Sequence, residues 1–175
     1  MNDERHYPET DRLHSAKPQF PEPGVRPINR SRCLALLQRE SHRPLLLLAA
    51  PTGYGKTVLL VEWAHELADG ASVGWLTLDK RDNDPHRLTA RLIMALPGIG
   101  DDVKSDMLEQ LPDARLDNIL RTLNGPEEVY LFLDQYEAIQ EEAAHRVIEH
   151  LIVQSGKHVH VCIASREKPP FLPNL

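Results

Sequence analysis

The stretch Leu45-Leu46-Leu47-Leu48-Ala49-Ala50-Pro51-Thr52-Gly53-Tyr54-Gly55-Lys56-Thr57 holds two elements and the turn between them. A short apolar run directly after Pro44, bounded by breakers, fits a strand buried on both faces. Lys56 to Ala68 reads as a helix, with Leu59, Leu60, Trp63 and Leu67 on one side and Gly70 as its stop. Between them, Ala50 to Thr57 matches the phosphate-binding loop G-x-x-x-x-G-K-T, except that Ala50 stands at the first glycine. That position needs a small residue more than a positive φ. Gly53 and Gly55 let the backbone turn tightly and approach phosphate oxygens. Successive N–H groups then form an anion cradle at a helix N-terminus, where the dipole favours negative charge. Lys56 is expected to reach the β- and γ-phosphates, and the Thr57 hydroxyl to ligate magnesium. The implied cofactors are ATP or ADP with Mg2+. The expected cofactor-binding residues are Ala50, Pro51, Thr52, Gly53, Tyr54, Gly55, Lys56, Thr57 and Val58.

Outward from this loop the pattern alternates. A short helix around Leu34 and Leu37 ends near Glu40. After the loop helix, Ser72 to Leu78 reads as a second strand. Asp84-Pro85 is a helix start, with Asp84 as cap and Pro85 in the first turn of a helix that stops before Pro97. Residues 99–125 are expected to hold two short helices around Pro112. Glu128 to Asp134 reads as a third strand, Glu141 to Gln154 as an amphipathic helix, and His158 to Ala164 as a fourth strand. Strands alternating with helices imply an α/β three-layer sandwich around a parallel sheet. Residues 1–27, with five prolines at positions 8, 18, 21, 23 and 27, are expected to form an unstructured tail ahead of the folded domain at 28–175.

The third strand, Val129 to Asp134, ends in an aspartate. At the carboxyl edge of a parallel sheet, Asp134 is placed to hold the magnesium shell opposite the loop. Gln135 follows, where hydrolysing enzymes of this type often carry a second acid. A glutamine can orient water but cannot take its proton. Glu137, two residues further on, is either a nearby second acid or, the favoured reading, a solvated loop charge.

Several segments together resemble the ATP-binding domain of MalT-like, LuxR-family large regulators. They are Arg30-Ser31-Arg32-Cys33-Leu34, Ala49 to Thr57, Trp75-Leu76-Thr77-Leu78-Asp79 with Asp82-Asn83-Asp84-Pro85, Leu133-Asp134-Gln135-Tyr136-Glu137-Ala138-Ile139, and Ala164-Ser165-Arg166 with Pro169-Pro170. The resemblance implies a signal-transduction P-loop NTPase: a nucleotide switch in which ATP favours an activating oligomer. It puts Arg166 on a sensor strand facing the γ-phosphate, which with Asp134 and Gln135 completes the candidate catalytic set. That family usually has Asp-Asp-Tyr-His where this chain has Asp134-Gln135-Tyr136-Glu137, a departure that bears on hydrolysis more than on binding. It also implies a sheet order 5-1-4-3-2. The four strands found supply 1-4-3-2, and the fifth would follow Leu175. The domain is therefore expected to be truncated at its C-terminal end. The first strand would then be an apolar edge that invites self-association through strand pairing.

The remaining features are consistent with this reading. A net charge of −6 supplies no global basic field for nucleic acid, and no helix-turn-helix pattern is present, so direct DNA binding would belong to a downstream domain. The longest wholly apolar run, Leu45 to Pro51, is too short for a membrane helix. Cys33 and Cys162 have no metal or redox spacing and fit a cytoplasmic protein. His158, His160 and Cys162 alternate along a strand. Packing explains them better than zinc, since no fourth ligand is near in sequence. His145 and His150 read as a solvated helix face, and Trp63 and Trp75 as core. Arg26, Arg30 and Arg32 form a basic cluster either at the nucleotide or at the plain surface. The competing function is a small metabolite kinase. That would need a basic substrate lid, whereas residues 97–125 carry Asp101, Asp102, Asp106, Glu109 and Asp113.

Overall fold

The third strand shows why this chain folds as layers. In Val129-Tyr130-Leu131-Phe132-Leu133-Asp134 every residue is buried, so both faces of the strand must be covered. Val129, Leu131 and Leu133 point into one apolar cluster, and Tyr130 and Phe132 into another. The structure, a computed structural model, describes residues 29–97, 99–109 and 127–172. Along it run α1 (Ser31–Glu40), β1 (Leu45–Ala49), α2 (Lys56–Leu67), β2 (Ser72–Thr77), α3 (Pro85–Ala95), α4 (Asp101–Glu109), β3 (Val129–Asp134), α5 (Glu142–Gln154) and β4 (Val159–Ser165). Short 3₁₀ turns occupy Lys80–Asn83 and Tyr136–Ala138. The strands form one parallel sheet in the order β1-β4-β3-β2. This is the expected α/β order 1-4-3-2, with strand ends differing by a residue.

On one face of the sheet lie α1 and α2. Trp63, fully buried, meets Phe132 edge-on at 5.5 Å and Tyr130 at 6.0 Å, and Trp75 stacks on Phe132 at 5.6 Å. On the other face α3 and α5 supply Leu88, Leu92, Ile93, Ile148 and Leu151, none with measurable exposure. β1 is an edge among the described residues. Its Leu46 is buried, but Leu45, Leu47 and Leu48 are only partly so and Ala49 is exposed. Residues 1–27 and the region around Pro112 lie outside the described residues.

Two expectations need correction. Gly70 does not stop α2 through a left-handed turn, because positive φ among the described glycines is confined to Gly53 and Gly55. The helix runs to Leu67 with Ala68 as its C-cap, within a residue of the expected end, and the Gly70 and Ala71 N–H groups both donate to the Leu67 carbonyl. His145 is not a solvated residue. Its Nδ1 lies 2.8 Å from the Tyr136 hydroxyl, and burial pushes its pKa down. His160 is packed, as expected: it is buried, stacks on Tyr130 at 4.7 Å, and has Nε2 2.7 Å from Glu128 and Nδ1 2.9 Å from the Arg43 carbonyl. Those imidazole contacts, from His160 and then His158, hold the Glu128 carboxyl below its usual range.

The loops at the carboxyl ends of β2 and β3 are tied together by Asn83. Its side-chain oxygen accepts from the Gln140 and Glu141 N–H groups at 2.7 and 2.8 Å, and its Nδ2 donates to the Ala138 and Lys80 carbonyls at 2.9 Å. Beside it Asp82 is fully buried, receives the Asp79 N–H at 2.8 Å and pairs with Arg91. Asp84 caps α3 through the His86 and Arg87 N–H groups, with Pro85 in the first turn, as its sequence signature predicts. At roughly 0.5–1 kcal/mol for each of its four hydrogen bonds, three of them exposed, Asn83→Ala should lose about 2–4 kcal/mol of stability. Urea unfolding tests this, and a loss below about 0.5 kcal/mol would mean that the bridge is idle.

Candidate functional site

The phosphate-loop residues follow β1 at the carboxyl edge of the sheet. Gly53 and Gly55 take φ of 86° and 75°, a region that side-chain-bearing residues rarely enter. Gly55 is the N-cap of α2 and offers no capping side chain, and the first turn of α2 carries no acid. The helix therefore begins with open N–H donors and no negative charge, which suits an incoming anion. Lys56 Nζ donates to the Ala50 carbonyl at 2.6 Å and the Pro51 carbonyl at 3.1 Å, closing the loop on itself. Ala50 thus serves through its carbonyl, for which the departure from glycine is immaterial.

Thr57, at the start of α2, donates its hydroxyl to Asp134 Oδ2 at 2.9 Å. The end of β3 is so brought against the first turn of α2. Asp134 is 2% exposed. Burial pushes its pKa up, partly opposed by the hydrogen bonds from Thr57 and the Gln135 backbone, with the Glu137 charge adding to the rise. Gln135 takes the left-handed conformation, φ 58° and ψ 39°, and starts the 3₁₀ turn.

A cleft of about 350 Å³ is lined by Thr52, Gly53, Gly55, Lys56, Thr57, Asp134, Gln135, Glu137 and Arg166. Pro51, Tyr54 and Val58 belong to the loop and first helical turn but do not line it, and Tyr54 is 74% exposed. Arg166 lies one residue past the end of β4 and reaches the cleft from there. Sequence reasoning misread Glu137. It is not a solvated charge: Oε1 pairs with Arg166 Nε at 2.7 Å and Oε2 accepts the Arg166 N–H at 3.2 Å. Arg30 does not line the cleft but packs beside it. It pairs with Glu62 at 3.1 Å and lies against the phosphate loop, close enough that a Cβ at Gly55 would come within 2.9 Å of it. Arg32 is exposed, and Arg26 lies outside the described residues.

The residues fit a metal–nucleotide group on two counts. The glycine backbones leave a cradle at a helix N-terminus, and a hydroxyl and a buried carboxylate converge on one point, a donor set suited to a hard divalent cation. Because the Asp134 pKa is raised on folding, the ionised carboxylate opposes folding. That cost is absent below its unfolded pKa and develops as pH rises through its folded pKa. Asp134→Asn keeps an acceptor for Thr57 and removes the charge. In chelator it should be more stable than the parent at pH 7, by about 1 kcal/mol on the scale of single substitutions, and the gap should close towards pH 3. A variant less stable at pH 7 would contradict this.

No protein-family model matches the chain. Curated relatives do. It is 30% identical over 153 residues to the HTH-type transcriptional regulator MalT of Vibrio parahaemolyticus, and 32% over 154 residues to that of Yersinia enterocolitica. Each match covers 82% of this chain and 16% of the relative, so the chain spans about a sixth of their length. Solved structures with the same fold include a Walker-type ATPase of Pyrococcus abyssi (TM-score 0.53, 14% identity, 88% of this chain and 49% of that one). Another is Cdc6p of Pyrobaculum aerophilum (TM-score 0.50, 16% identity, 90% and 43%). The fold is that of the P-loop ATPases, and over this module the chain is homologous in sequence to the MalT regulators.

Proposed function

We propose that this module is an ATP/ADP-binding switch of a MalT-like, LuxR-family regulator, with slow or no hydrolysis. The observation that carries the reading is the 2.9 Å bond from the Thr57 hydroxyl to Asp134, made beside a phosphate cradle with Lys56 at its mouth. In this reading Lys56 exchanges the Ala50 and Pro51 carbonyls for phosphate oxygens. Backbone N–H groups of the loop hold the phosphate chain, and Thr57 and Asp134 hold magnesium. The metal, when bound, neutralises phosphate charge. Gln135 stands at the head of the cleft, where it can orient water but has no basic group to receive the proton. Arg166 supplies positive charge at the γ-phosphate end. Self-association through β1, DNA recognition by a domain elsewhere and a cytoplasmic location are parts of the same proposal. No described helix is long and apolar enough to cross a membrane.

Titration with a fluorescent ATP analogue tests binding. Lys56→Ala removes the charge-assisted contact and should weaken affinity by about 1.5–3 kcal/mol; equal affinity would refute the assignment. Hydrolysis should be far below the roughly 10 s⁻¹ typical of enzymes. Gln135→Asp suits the left-handed backbone. It should raise turnover, at most by the roughly 10²–10⁴-fold that a general base contributes. A parent chain already turning over at enzyme-like rates would contradict the reading.

A further inference from the structure

We infer that Glu137 is a specificity-determining residue of this cleft: by holding Arg166 in an ion pair, it weakens the preference for a nucleoside triphosphate over a diphosphate. The inference rests on the nucleotide-switch reading above and adds a role to a residue whose type there is unassigned.

The geometry is two-pronged. One carboxylate oxygen takes Arg166 Nε at 2.7 Å, the other takes the same residue's backbone N–H at 3.2 Å. The side chain of Arg166 is 56% exposed and that of Glu137 23%, so the arginine is the member free to swing and the glutamate the fixed one. Glu137 is fixed because its neighbour Tyr136 is buried, bonded to His145 at 2.8 Å and packed edge-on against Phe171 at 5.9 Å. Asn83 then holds Ala138 from the other side.

The charged side chains lining the cleft are Lys56 and Arg166 against Asp134 and Glu137. Asp134 is committed to Thr57. Glu137 therefore offsets the one cation that approaches from β4. ATP differs from ADP by one phosphoryl group and its negative charge. A γ-phosphate that recruits Arg166 has to compete with the Glu137 carboxylate for it. ADP has nothing at that end and is indifferent to the pair. A carboxylate in this place thus lowers the ATP-to-ADP affinity ratio.

The test is calorimetric titration of the 175-residue chain with Mg-ATP and Mg-ADP. Glu137→Gln should raise the ATP-to-ADP affinity ratio roughly 2- to 5-fold, the range for a partly exposed charge pair. Most of the change should be in ATP. Glu137→Ala should shift the ratio in the same direction, and thermal melts of both variants check that they fold. Placed on Arg166→Ala, the glutamine substitution should shift the ratio little, because the carboxylate acts through the arginine. An unchanged or lowered ratio in Glu137→Gln, or an equal rise without Arg166, would overturn the inference while leaving the nucleotide site intact. A parent chain that binds neither nucleotide would overturn the site itself.

Discussion

Burial of β3 and β4 on both faces is the constraint from which the rest of the structure follows. Every residue of these two strands is buried. Parallel strands so enclosed need helices above and below, and each crossover returns the chain to the same end of the sheet. All the loops that leave the carboxyl ends of the strands are thereby brought to one edge. The phosphate loop after β1, Asp134 at the end of β3 and Arg166 after β4 are separated widely in sequence and meet there only because of that rule.

The cleft is held by charge balance more than by shape. Asp134 is buried beyond what an isolated carboxylate tolerates, and the hydrogen bonds from the Thr57 hydroxyl and the Gln135 backbone compensate it only in part. Such a group is more comfortable once a cation arrives. The same logic explains Lys56, whose ammonium rests on two loop carbonyls that a phosphate can replace. Each contact at the phosphate end is therefore one that a better partner can exchange, unlike the four-bond bridge of Asn83 behind it.

How far the sequence was readable follows from the range of the interactions. The phosphate loop, the Asp84-Pro85 cap and the strand ending in Asp134 are local patterns whose chemistry is complete within a few residues, and each stands where its pattern puts it. The order β1-β4-β3-β2 followed from crossovers together with the family likeness. What escaped were side-chain pairs that depend on docking of distant segments: Asn83 on Ala138, 55 residues away; Arg166 on Glu137, 29 away; His160 on the Arg43 carbonyl, 117 away. A polar residue carries no local sign of which partner it will find. Glu137 and His145 were for that reason both read as solvent-facing.

Gln135 shows how these distant contacts reach the chemistry. It is the one described residue other than glycine with positive φ, a conformation costing a side-chain-bearing residue about 1–2 kcal/mol. Such strain persists only where the surroundings over-determine the backbone. Here they do. Asp134 before it is locked in the sheet and bonded to Thr57, and Tyr136 after it is anchored under Phe171. Ala138 beyond is held by Asn83. With both ends fixed, the chain has one short step in which to turn from strand to 3₁₀ helix, and the left-handed residue takes it. The direction of Gln135 at the head of the cleft is thus set by packing on both faces of the sheet. A substitution at Asn83 or Tyr136 therefore acts on the backbone of Gln135 through the segment that holds it.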